Sequence, residues 1–151
     1  MIHSVLPTLL TSPSPVILEI GSHEMEDTGW IRGLYPSGLI HCFEPDPRNV
    51  ETIRKSGRIE EYGVLFHPIA ISDQVGNAPF HLSAGSPDRD ASKTWTYSSS
   101  LREPTGHLAM HPWCRFDQTV RVGCVTLDVF CQRYGIGTVD FIWADIQGAE
   151  D

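Results

Sequence analysis

The stretch Val16-Ile17-Leu18-Glu19-Ile20-Gly21-Ser22-His23 carries the reading of the fold. A short apolar run that stops at a glycine reads as a buried parallel strand entering a turn. Immediately downstream, Trp30, Ile31, Leu34 and Tyr35 fall on one helical face, and Pro36 ends that helix. A second strand is expected at 39–43, closed by Glu44-Pro45. Asp46 and Pro47 then supply an N-cap and a first helical residue, with Val50 and Ile53 on the apolar side and Gly57 as the C-terminal cap. A third strand is expected at 64–72. Strand, helix, strand, helix, strand predicts an α/β fold: a Rossmann-like, doubly wound, mostly parallel sheet.

Beyond Asp73 the pattern changes. Ala78 to Leu82 reads as a short returning strand, and 83–119 shows no sustained periodicity, so it is expected to be a long loop insertion. Order resumes at Val120 to Val125. Thr126 caps a helix with Leu127, Val129, Phe130 and Tyr134 on its apolar side, ended by Gly135, and a last strand is expected at 139–146. The expected spatial order of the main strands is three-two-one-four. The domain reading is an N-terminal extension at 1–15 and a cofactor-binding part at 16–151.

In a doubly wound sheet the first strand ends hold a nucleotide. Here those ends are Glu19-Ile20-Gly21 and Phe43-Glu44, and Glu44 follows Glu19 by 25 residues, near the spacing of about 20 at which an acid receives a ribose. Gly21 also reads simply as a turn residue and Glu44 as a solvated strand-end acid. Taken together in this strand context, they point to a nucleoside site. The loop Gly21-Ser22-His23-Glu24-Met25-Glu26-Asp27 has one glycine and three acids. A diphosphate would be repelled there, which disfavours an NAD-dependent oxidoreductase. A ligand that keeps adenosine but carries a sulfonium cation, S-adenosylmethionine, suits the charge.

Six segments appear in order: 17–23 (Ile-Leu-Glu-Ile-Gly-Ser-His), 43–49 (Phe-Glu-Pro-Asp-Pro-Arg-Asn), 70–73 (Ala-Ile-Ser-Asp), 99–101 (Ser-Ser-Leu), 126–131 (Thr-Leu-Asp-Val-Phe-Cys) and 140–150 (Asp-Phe-Ile-Trp-Ala-Asp-Ile-Gln-Gly-Ala-Glu). Together they resemble the FkbM-type methyltransferases over nearly all of 16–151. The resemblance implies a seven-stranded class I methyltransferase fold, S-adenosylmethionine as cofactor, and methyl transfer to a hydroxyl oxygen of a sugar or natural product. It further implies that Glu19 and Gly21, with Ser22 and His23, form the first cofactor loop. Glu44, with Pro45, would hold the ribose, and Ala70 and Ile71 would flank the adenine. Asp145 would lie near the reacting methyl as the base, with His107 and His111 as alternatives in the insertion. The chain departs from the family at Met25, where another glycine is usual. Such a fold needs further strands after Ile146, so it is expected to be incomplete at the C-terminus. An inactive methyltransferase-like fragment, or a binding or scaffold domain, therefore stands as the alternative.

Composition narrows the partners. A formal net charge of −8 argues against non-specific binding to nucleic acid or an anionic membrane. No apolar run approaches a membrane span, and 1–15 lacks the plan of a secretory signal. Cys42, Cys114, Cys124 and Cys131 match no zinc spacing, and a reduced, cytoplasmic setting is expected. No metal is expected; Asp145 with Glu150 is the weak carboxylate pair that magnesium would use. Trp95, Tyr97 and Trp113 read either as a sugar-stacking wall or as packing of the insertion.

Overall fold

A computed structural model describes residues 2–87, 94–105 and 110–148. Its main sheet has four strands: β1 (Val16–Ile20), β2 (Leu39–Phe43), β3 (Leu65–His67) and, last in the chain, β7 (Phe141–Ala144). Their order is β3-β2-β1-β7, all parallel, which is the expected three-two-one-four. Side chains alternate across the sheet. Ile17, Ile40 and Cys42 pack on one side with Met25, Ile31 and Ile53, which come from the first loop, α2 (Glu26–Leu34) and α3 (Pro47–Ser56). Leu18, Ile20 and Phe43 pack on the other with Phe130 of α5 (Leu127–Tyr134). Helices thus cover both faces, the doubly wound α/β arrangement.

The caps explain where the helices begin. Asp46 accepts from Arg48 N at 3.0 Å, with Pro47 at the first position, and Gly57 closes α3 with φ of 75°. Thr126 accepts from Val129 N at 3.3 Å, and Gly135 closes α5 with φ of 66°. A short α4 (Arg58–Tyr62) follows α3 directly. At the start of the chain, α1 (Ile2–Leu9) sends Leu6 into the core, and Tyr35 Oη donates to Leu10 O at 3.1 Å. The 1–15 segment therefore contributes to the packing of the domain.

Two strand expectations are corrected. The strand expected at 64–72 divides into β3 and β4 (Ala70–Ile71) at Pro68, which has no N–H for a ladder. Only β3 stays in the main sheet; β4 pairs with β6 (Arg115–Val125), which pairs antiparallel with β5 (Gly76–Ala84). The insertion accordingly occupies 85–114, because β5 runs past Leu82 to Ala84 and β6 starts at Arg115. Phe80, Leu82, Val122 and Cys124 give this second sheet its own core.

Behind β2 and β3, His41 and His67 share a hydrogen bond, Nδ1 to Nε2, of 2.9 Å beneath Phe130. Burial, then the neighbouring His41, push His67 down to about 4, and burial also lowers His41, as suits a pair packed into the aromatic core. Among the described residues no helix is long and apolar enough to cross a membrane.

Candidate functional site

The C-terminal ends of β1, β2 and β7 open into one cleft, bounded on its far side by β4, Phe80 of β5 and the insertion. The space it encloses, open solvent at its mouth included, is about 650 Å³. Apolar walls come from Ile20, Phe43, Ile69, Ile71 and Phe80. Polar groups come from Glu44, Asn49, Ser99 and Asp145, and no lysine or arginine is among the described lining residues.

Gly21 is dictated by the backbone. Its φ is +86°, and a Cβ there would collide with the carbonyl oxygen of Asp145. Gly21 N and Ser22 N both donate to Phe43 O at 2.9 Å, so the loop bends back over the end of β2. Two further residues have left-handed backbones, His23 (φ 47°) and Met25 (φ 66°). That conformation at Met25 is one a glycine adopts freely, while the fully buried Met25 side chain fills the core under the loop.

Glu44 is 5 % exposed and held at both oxygens. Oε2 accepts from His23 N and Oε1 from Asp46 N, each at 2.8 Å. A carboxylate has about four acceptor positions; His23 N, Asp46 N and the Asn49 side chain take three of them, so about one remains for a group in the cleft. Burial raises Glu44 to about 7, against the opposing pull of the Asp46 N–H.

The sequence-derived residues divide by location. Gly21, His23, Glu44, Pro45, Ala70, Ile71 and Asp145 all line the cleft. Glu19 does not: it shares the Ile17 face, is 1 % exposed, and accepts from Thr28 Oγ1 at 2.6 Å and Cys42 Sγ at 3.3 Å. Burial raises it to about 7. Ser22 is buried beside the cleft, and its Oγ has no hydrogen-bond partner among the described residues. Asp145 is exposed at the rim, where Gln147 Nε2 donates to its Oδ1 at 2.7 Å. His111 packs against Trp113 with ring centres 5.6 Å apart and is not among the described lining residues. His107 and Glu150 lie outside the described residues.

The insertion closes one side of the cleft. Thr96 Oγ1 and His23 Nε2 are 2.7 Å apart, Tyr97 stacks on the His23 ring with centres 3.8 Å apart, and Tyr97 Oη donates to Glu26 at 3.2 Å. Burial lowers His23 from its ordinary value against the pull of Glu24 and Glu26. Its Nδ1 is buried without a hydrogen-bond partner among the described residues, 3.9 Å from Glu26 Oε2. Trp95 packs on Tyr97 and edge-on against Trp113, with centres 4.8 and 5.1 Å apart; of the three rings, Tyr97 reaches the cleft. Sequence reasoning missed Asn49, which hydrogen-bonds Glu44, and Thr96 and Ser99. The resemblance at Ser99-Ser100-Leu101 and the aromatic residues Trp95 and Tyr97 were the signals that pointed to that part of the insertion.

Comparison with known proteins agrees with this architecture. Residues 19–150 match the family described as Methyltransferase FkbM domain. The chain is also similar to 2-O-methyltransferase NoeI of Sinorhizobium fredii (strain NBRC 101917 / NGR234), 40% identical over 149 residues. That match covers 99% of this chain and 60% of the relative, so the chain spans about three-fifths of the relative's length. The chain belongs to the FkbM methyltransferase domain family.

Proposed function

We propose that this chain carries the cofactor-binding part of an S-adenosylmethionine-dependent O-methyltransferase that acts in the cytoplasm on a hydroxyl of a sugar or natural product. The observation that carries the reading is Glu44: a buried carboxylate at the end of β2, fixed by two backbone N–H groups at the floor of an apolar cleft. Such a group accepts a hydrogen bond from a ribose hydroxyl without reorganising. Ile69, Ala70, Ile71 and Phe80 offer the apolar wall that an adenine needs. The partnerless His23 Nδ1 is a polar atom that the amino-acid end of the ligand would satisfy. Glu44 and Asp145, with no lysine or arginine among the described lining residues, favour a cationic ligand over a diphosphate.

When bound, S-adenosylmethionine supplies a methyl group on a sulfonium sulfur. Asp145, at the rim beside Gly21, is placed to accept the proton of an incoming hydroxyl, and Gln147 holds one of its oxygens. Ile20 and Ile146 line the cleft beside it. A relative named as a 2-O-methyltransferase supports oxygen as the acceptor atom.

The test is methyl transfer by the full-length protein from methyl-labelled S-adenosylmethionine to a panel of hydroxylated glycans. Labelled product from wild type and a loss of at least tenfold in kcat for Asp145→Asn are expected. Transfer that is unchanged in Asp145→Asn removes Asp145 as the base, and no transfer to any hydroxyl acceptor by a folded, cofactor-binding protein contradicts the reaction class.

A further inference from the structure

One polar network ties the insertion to the strand end that bears Glu44, over 50 residues away in sequence. Its hub is Ser99. The Ser99 hydroxyl donates to Asp46 Oδ2 at 2.9 Å and accepts from Ser83 N at 3.0 Å and Arg48 Nη2 at 3.2 Å. Arg48 in turn forks onto Asp46, with Nε to Oδ1 at 3.0 Å and Nη2 to Oδ2 at 2.6 Å, and donates through Nη1 to Ser83 O at 2.9 Å. Asp46 and Ser83 are fully buried. The other end of Asp46 faces the cleft chemistry: its N–H donates to Glu44 Oε1 at 2.8 Å.

Position and charge make this more than a structural staple. A buried aspartate carboxylate is costly unless it is paired and hydrogen-bonded. With Arg48 on one side, Ser99 supplies a donor on the other, and the insertion is what delivers Ser99. Without that hydroxyl, Asp46 Oδ2 loses a bond, and the Asp46 backbone, whose N–H aims Glu44, is less firmly held. The far wall is coupled in the same way, because Ser83 O and Ser83 N both belong to the network and Ser83 Oγ accepts from Ser98 N at 3.2 Å. Ser99 also lines the cleft itself.

We propose that Ser99 is a positioning residue whose hydroxyl, seated on Asp46, makes the insertion and the Glu44 carboxylate one hydrogen-bonded unit, so that the ribose is gripped fully when the insertion is seated. This rests on the cofactor reading above and adds the residue that links it to the insertion.

The test is a double-mutant cycle on the full-length protein, with S-adenosylhomocysteine as the titrated ligand. Ser99→Ala is expected to weaken binding about fivefold, and Glu44→Gln about tenfold. The double variant is expected to bind no more than about twofold worse than Glu44→Gln alone, because the network then has no carboxylate to aim. Ser99→Thr, which keeps the hydroxyl, is expected to bind within about twofold of wild type, whereas a purely steric role at the cleft wall would make it worse than Ser99→Ala. Multiplying effects in the cycle, a silent Ser99→Ala, or failure of Ser99→Thr to restore binding each overturn the link. A silent Glu44→Gln overturns the cofactor reading with it, whereas a normal Glu44→Gln effect beside a silent Ser99→Ala overturns the link alone.

Discussion

The carbonyl oxygen of Asp145 occupies the space into which a side chain on Gly21 would project. Asp145 N also donates to Ile20 O at 3.0 Å, so the ends of β1 and β7 are pressed together there. The candidate base and the loop after β1 are thereby fixed relative to each other by backbone alone.

Gly21→Ala should therefore destabilise the domain by at least about 2 kcal/mol, combining a left-handed φ with a backbone collision. Gly33→Ala is the matched control. Gly33 lies in α2 with open space around a Cβ and no positive φ, so alanine should stabilise by about 0.5 kcal/mol. Urea unfolding of both variants checks this, and equal stabilities would show that the Gly21 contact is not constraining.

Glu19 predicts a pH effect separable from the cleft. Its folded value, about 7, lies above its ordinary 4.5 because of burial. The folded protein thus holds more protons than the unfolded chain between these values, and stability falls as pH rises from 4.5 through 7. His67, held near 4, acts in the opposite direction between 4 and 6.5, so the variant difference is the clean measure. Glu19→Gln should match wild type near pH 5 and exceed it by on the order of 1–3 kcal/mol at pH 8. Denaturant unfolding at both pH values decides it; a difference that does not change with pH would mean that Glu19 is not held in its neutral form.

Much of the fold was legible in the sequence because burial and punctuation agree. Val16 to Ile20 and Leu39 to Phe43 are apolar runs stopped by Gly21 and by Glu44-Pro45, and both strands end there. Asp46 and Thr126 were readable caps because a cap acts locally, on the N–H two or three residues ahead. Pro68 was equally visible, yet the apolar residues around it concealed the break between β3 and β4. Glu19 was assigned to the cleft although strand alternation, with Ile20 at the cleft, turns it to the opposite face. The insertion stayed opaque for a different reason. Its order comes from hydrogen bonds between distant residues, such as Ser99 to Asp46 and Thr96 to His23, and such pairs leave no periodic trace.

The central claim is that Glu44 receives the ribose of S-adenosylmethionine. Titration calorimetry at pH 8, above the value near 7 at which the buried carboxylate ionises, compares the full-length protein with Glu44→Gln. Hydrogen bonds to a charged group contribute about 1.5–3 kcal/mol each, and the isosteric amide keeps part of this, so S-adenosylmethionine should bind at least about tenfold more weakly to the folded variant. Equal affinity in a folded variant would contradict the account, since Glu44 would then be a buried acid that holds only His23, Asp46 and Asn49 in place.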